Sequence, residues 1–291
     1  MHFIRYIILI LLIPLYSQFG KNIVQYQDFD WYYLQTENFD IYYYDTDINA
    51  QYVAIESQKA YINISNALNW ELQNRVPIIV YNSHNDFQQT NVVDSYMYEG
   101  IGGVTELYKN RVVIPFDASN KEFKHVIHHE LVHAFVNDCI YGGNLRNMIA
   151  SAIKVRIPMW MNEGLAEYIA SIWDTNSEMW IRDLAINGEF PNIKELNGYM
   201  AYRGGQSVWN FITEKWGEES ISEIIFQIKK TNKVESGLKK ALGVDFEMLN
   251  EQWHQYLKKT YWPDVNIRRN IKDISQQLTD HEELKNTYNV A

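Results

Sequence analysis

The sequence predicts an α+β protein in which a β-rich amino-terminal part leads into a mostly helical one. Three observations predict it. Short β-branched and aromatic runs cluster before residue 118, helix-spaced apolar stripes dominate after it, and 291 residues can bury one sizeable core or two modest ones. The expected organisation is a leader over 1–20, a β-rich subdomain over 21–118, a helical subdomain over 119–264 and a linker over 265–291.

Arg5 precedes the apolar run Tyr6 to Ile13, followed by Pro14, Leu15, Tyr16 and Ser17, which reads as a secretory signal peptide cleaved near Ser17 or Gly20. The run is short for a bilayer span, and anchoring by an uncleaved leader is the alternative. The expected location is therefore periplasmic or secreted, in association with the cell envelope. Phe39 to Tyr44 then reads as a strand, 47–69 as a helix with Val53, Ala60, Ile64, Ala67 and Leu68 on its stripe, and Val76 to Tyr81 as a short β-branched strand. Val104 to Leu107 and Arg111 to Phe116 form a predicted hairpin around Lys109 and Asn110.

The next element carries chemistry. Phe123, Val126, Ile127, Leu131, Ala134 and Phe135 follow helical spacing, with Ser119 and Asn120 as caps and Gly142 and Gly143 as a stop, so a helix is placed at about 120–138. Within it lies His129-Glu130-Leu131-Val132-His133. At 3.6 residues per turn the two imidazoles stack on one face and can reach a single tetrahedral ion. Glu130 flanks that pair, where a carboxylate can act as general base on water acidified by a metal. The plainer reading of the same pattern is a buried helix with partnered histidines.

A second helix begins near Pro158 and carries Trp160-Met161-Asn162-Glu163-Gly164-Leu165-Ala166-Glu167-Tyr168. Glu163 and Glu167 are four residues apart, so they share a face. One can bind a metal while the other accepts from the outer nitrogen of a ligating histidine. Unpaired buried carboxylates are costly, and a cation offsets that cost. A solvated acidic face is the alternative, against which stand the apolar flanks Trp160, Leu165, Tyr168 and Ile169. Farther on, Ile221, Ile224, Ile225 and Ile228 form one helical stripe and Phe246, Leu249, Trp253 and Leu257 another.

His129-Glu130-x-x-His133 followed by Asn162-Glu163-Gly164 resembles the gluzincin metallopeptidases. The resemblance implies a gluzincin-like fold, a mixed β-sheet subdomain followed by a helical one with the zinc site between them. It implies Zn2+ held by His129, His133 and Glu163, with Glu130 as general base and Glu167 behind a ligating histidine. Tyr202-Arg203-Gly204-Gly205 is similar to the Tyr-x-x-Gly of gluzincin aminopeptidases, which would make Tyr202 an oxyanion helper. A core or surface tyrosine is the simple alternative, for the chain has 21 of them. More closely, the chain resembles the peptidase-MA-like domain that precedes a Tol-type β-propeller in bacterial envelope proteins. That likeness rests on Trp31 with Phe39 to Tyr43, Ile78 to Phe87, Gly102 to Glu106 and Gly204 to Trp209. Leu278 to Glu282 and Tyr288 to Ala291 resemble the run into a first propeller blade, so a C-terminal β-propeller missing from this chain, and envelope partners, are expected. The strand over Gly102 to Leu107 resembles the edge on which gluzincins hold an extended peptide.

Composition narrows the partners. A net charge of −10, a pI near 5.3 and no basic stripe exclude a nucleic-acid partner. The single cysteine, Cys139, excludes an intrachain disulfide and any multi-cysteine zinc site, and reads as a small buried residue. His84, His125, His128 and His281 read as structural or surface groups. The expected function is a zinc-dependent metallopeptidase acting on a peptide or protein substrate, with Glu106 a candidate for holding an α-amine. The alternatives are a non-hydrolytic, zinc-stabilised envelope binding module and hydrolysis of a non-protein amide.

Overall fold

The computed structural model describes residues 23–142, 155–171, 173–267 and 274–276. The expected leader, Gly143, His281 and the propeller-like run at the C-terminus lie outside the described residues. The fold is α+β, a small mixed sheet followed by helices, as the sequence predicts. It forms two compact units divided between residues 152 and 153.

The first unit holds a sheet in the order β1-β2-β3-β5-β4. Its strands are β1 (Tyr32–Gln35), β2 (Phe39–Tyr43), β3 (Val76–Tyr81), β4 (Val104–Thr105) and β5 (Val112–Pro115). The central pairings β2–β3 and β3–β5 are parallel, whereas β1 and β4 close the edges antiparallel. Alternate residues Phe39 and Ile41, and Val76, Ile78 and Val80, are buried, the period-2 signature of a strand, whereas β5 is buried throughout. Helices α1 (Ile48–Leu68) and α3 (Asn120–Tyr141) pack on each other and on strands β2 and β5. On α1 the buried residues Ala50, Val53, Ser57, Ala60, Ile64 and Leu68 recur every three or four positions. A second cluster of Tyr44, Tyr81, Phe87, Met97 and Val113 takes in Phe87 of the one-turn helix α2 (His84–Phe87).

The expected hairpin forms but is shorter, because only Val104 and Thr105 pair in register with Val113 and Val112. Asn110 takes the turn at φ 53°, a left-handed position that asparagine tolerates. Ser119 caps α3 by accepting from the Glu122 amide at 3.3 Å, and the helix runs three residues past its expected end before Gly142 stops it at φ 74°.

The expected subdomain boundary at 118/119 differs from the division at 152/153. Helix α3 is buried over most of its circumference, with Phe123, Ile127, Leu131, Phe135 and Cys139 in the core of the first unit, so it folds with the sheet.

The second unit is helical: α4 (Met159–Ser171), α5 (Thr175–Asn187), a 3-10 turn at Ile193–Glu195, α6 (Tyr199–Trp216), α7 (Glu219–Thr231), α8 (Val234–Leu242) and α9 (Phe246–Ile267). Helix α9 passes the expected end at 264 by three residues. Trp160, Trp209 and Trp253 are fully buried, and two of them satisfy their indole N–H inside: Trp209 donates to the Met161 carbonyl at 3.0 Å and Trp253 to Ser207 Oγ at 3.1 Å. Both predicted stripes are buried. Among the described residues, no helix is long and apolar enough to cross a membrane.

Candidate metal centre

Helix α3 brings His129, Glu130 and His133 together within the first unit. The Nε2 atoms of His129 and His133 stand 3.1 Å apart. Two ligands of a tetrahedral zinc at about 2.0–2.1 Å would stand about 3.3 Å apart, so the imidazole pair fits that ion closely. The fit follows from sequence spacing, since one helical turn separates the two side chains. His129 is buried and His133 half-buried.

Glu130 is buried beside them. Its Oε2 accepts a 2.6 Å hydrogen bond from the Thr105 hydroxyl, which also lies 3.0 Å from the Glu130 carbonyl. Thr105 belongs to β4, the edge strand, so the carboxylate is oriented by a segment 25 residues earlier. The approach of that strand requires glycine. A Cβ on Gly103 would meet Glu130 Cγ at 2.9 Å and Val126 Cγ1 at 3.0 Å.

Two further histidines lie near the motif. His125 is half-buried one turn earlier, with its ring 6.0 Å from that of His129. His128 is buried and turns towards α1, with Nε2 3.6 Å from Glu56 Oε2. Burial holds its pKa below the ordinary histidine value, Lys124 adds to that, and Glu56 opposes it. Burial likewise pushes the Glu56 carboxyl up, but Lys59, Lys124 and His128 outweigh it and leave its pKa lowered. Glu106 is ion-paired to Arg111 Nε at 2.5 Å, which neutralises the charge that would hold an α-amine.

The second unit carries Glu163, Glu167 and Tyr202. Pro158 opens α4, its carbonyl accepting from the Met161 and Asn162 amides. Glu163 is half-buried and Glu167 buried one turn on, on the same helix. Tyr202 is half-buried in the first turn of α6.

The two glycines quoted in the motifs, Gly164 and Gly205, meet each other. A Cβ on Gly164 would land on the Gly205 backbone, and one on Gly205 would land on the Trp160 carbonyl. Helices α4 and α6 therefore cross at backbone contact, and α6 reaches Glu167. Arg203 Nη1 donates to Glu167 Oε2 at 3.0 Å, and Gln206 Nε2 donates to the Glu167 carbonyl at 3.4 Å. Neither Thr105 nor Arg203 is marked by any motif in the sequence. Arg203 lies inside the quoted Tyr-x-x-Gly segment, and the need of a buried Glu167 for a counter-charge is the signal that could have found it.

A family model described as the peptidase MA superfamily matches residues 56–259, which takes in α3, α4 and α6 whole. No curated protein matches the chain.

Proposed function

Because the chain belongs to the peptidase MA superfamily, we propose that it is a zinc-dependent metallopeptidase that hydrolyses peptide bonds. The observation that carries this reading is the 3.1 Å convergence of the His129 and His133 Nε2 atoms, with the Glu130 carboxylate on the same helix. Glu163 is assigned as the third ligand, because carboxylate and imidazole are the donors that suit a hydrolytic zinc site in a chain with one cysteine. Glu167 is assigned to the outer nitrogen of a ligating histidine, fixing its tautomer.

Zinc, when bound, supplies Lewis acidity that polarises the scissile carbonyl and acidifies water. Glu130 would act as the general base, taking a proton from the attacking water and returning it to the leaving amine. Thr105 holds the Glu130 carboxylate in one rotamer, so the base enters each turnover already oriented. Tyr202 is assigned to the developing oxyanion as a hydroxyl donor. Among the described residues β4 is an edge strand of the sheet, and an extended peptide would bind there by backbone pairing with little dependence on its sequence. The leader-like segment Arg5 to Ser17 supports a periplasmic or secreted location.

The test combines elemental analysis with peptide cleavage in the wild type, Glu130→Gln and Glu163→Ala. Glu130→Gln keeps zinc and loses turnover, whereas Glu163→Ala loses zinc. Wild-type protein that holds no zinc after chelator-free purification would refute the ligand set. Zinc without cleavage across a diverse peptide library would refute the peptidase.

A further inference from the structure

We infer that Arg203 is a positioning residue of the metal centre, holding the Glu167 carboxylate in the orientation that a ligating imidazole requires. The inference rests on the zinc-peptidase reading and adds to it a residue that the motif does not contain.

The second unit builds a polar cluster around Glu167, which is 4% exposed. Arg203 Nη1 donates to Glu167 Oε2 at 3.0 Å, to Ser177 Oγ at 3.3 Å and to Gln206 Oε1 at 3.4 Å. Ser177 in turn donates to Gln206 Oε1 at 2.6 Å, and its own amide is held by Asp174 Oδ1 at 2.8 Å. Three helices thus fix one guanidinium: α4 through Glu167, α5 through Ser177, and α6 through Arg203 and Gln206.

The chemistry of the pair is directional. A carboxylate has about four acceptor sites on its two oxygens, so the Arg203 bond to Oε2 leaves acceptor capacity for an imidazole N–H. A guanidinium stays protonated, so the Nη1 bond fixes the position of Oε2 and supplies a constant counter-charge beside it. Removing it would take away the donor that holds Oε2, so the acceptor offered to the imidazole would lose its fixed position. The glycine contact between Gly164 and Gly205 brings Arg203 within reach, because α6 could not approach α4 so closely with a Cβ at either position.

The experiment uses the full chain as wild type, Arg203→Gln, Arg203→Lys, Glu167→Gln and the Arg203→Gln/Glu167→Gln double variant. Zinc affinity is measured by competition with a chromogenic chelator, cobalt(II) absorption reports ligand geometry, and melting of the metal-free protein is followed beside them. Arg203→Gln is expected to weaken zinc by about 10–100-fold and to shift the cobalt spectrum, with Arg203→Lys intermediate between it and the wild type. The double variant is expected to bind zinc no more weakly than Glu167→Gln alone, because Arg203 acts through that carboxylate.

A variant that melts earlier yet keeps wild-type zinc affinity and cobalt spectrum would show a purely structural ion pair and overturn the inference. Additive losses in the double variant would overturn it as well. Where Arg203→Gln does not fold, Arg203→Lys decides: intermediate affinity supports the inference and wild-type affinity overturns it. A wild type that takes up no zinc refutes the peptidase reading itself, an outcome distinct from an intact zinc site indifferent to Arg203.

Discussion

The hydroxyl of Thr105, on the edge strand β4, donates to Glu130 Oε2 at 2.6 Å and so ties the carboxylate of the motif helix to the sheet. A hydrogen bond to a charged group is worth about 1.5–3 kcal/mol, or about 10–100-fold in rate where it orients the base. Thr105→Val is therefore expected to lower kcat by that factor with zinc retained, and Thr105→Ser to recover most of it. Steady-state kinetics with a peptide substrate read this out, and an unchanged kcat in Thr105→Val would show that Glu130 does not depend on the bond.

Zinc should stabilise the fold through mass action. At a free concentration of about 100 times the dissociation constant, a ligand specific for the native state adds about 2.7 kcal/mol. Thermal melts of chelator-treated protein with and without added zinc should show an upward shift in the wild type and in Glu130→Gln, and none in Glu163→Ala. An equal shift in Glu163→Ala would remove that residue from the ligand set.

Gly205 should tolerate no side chain. A Cβ there would strike the Trp160 carbonyl, so Gly205→Ala must push α6 off α4, at a cost of about 1–3 kcal/mol for overpacking. Gly100, where a Cβ meets nothing within 4 Å, supplies the control: Gly100→Ala should stay within about 0.5 kcal/mol of wild type. Urea unfolding compares the two variants.

Acid should destabilise the metal-free protein through His128 and Glu56. The folded His128 pKa lies below its ordinary value because of burial, so the unfolded chain binds the proton first and stability falls as pH drops from above 6.5 towards the folded value. The folded Glu56 pKa is lowered too, so its contribution is present above 4.5 and is lost as pH falls through the folded value. His128→Gln should flatten the slope of unfolding free energy between about pH 7.5 and 5.5 while keeping the loss near pH 4.5. An unaltered slope in His128→Gln would assign the upper window to another group.

How much of this was legible in the chain depends on the distance over which each feature is set. The convergence of His129 and His133 is a matter of one helical turn, and the apolar stripe from Phe123 to Phe135 announced the helix that makes it. The buried faces at Ile221 to Ile228 and Phe246 to Leu257 were legible for the same reason. The boundary between units was not. Residue 118 marks a change in composition, whereas α3 folds with the strands before it because its apolar surface lies nearly all round.

The sequence by itself determined the motif helix that sets His129 and His133 one turn apart, the two acids on α4 and the apolar stripes of the later helices, since each follows from local periodicity. Tertiary structure alone decided that Thr105 grips Glu130 across 25 residues and that Arg203 grips Glu167 across 36. It also decided that Gly103 and Gly164 serve close approach. Those partners depend on which surfaces meet once the chain has packed, and no periodicity along the chain encodes that.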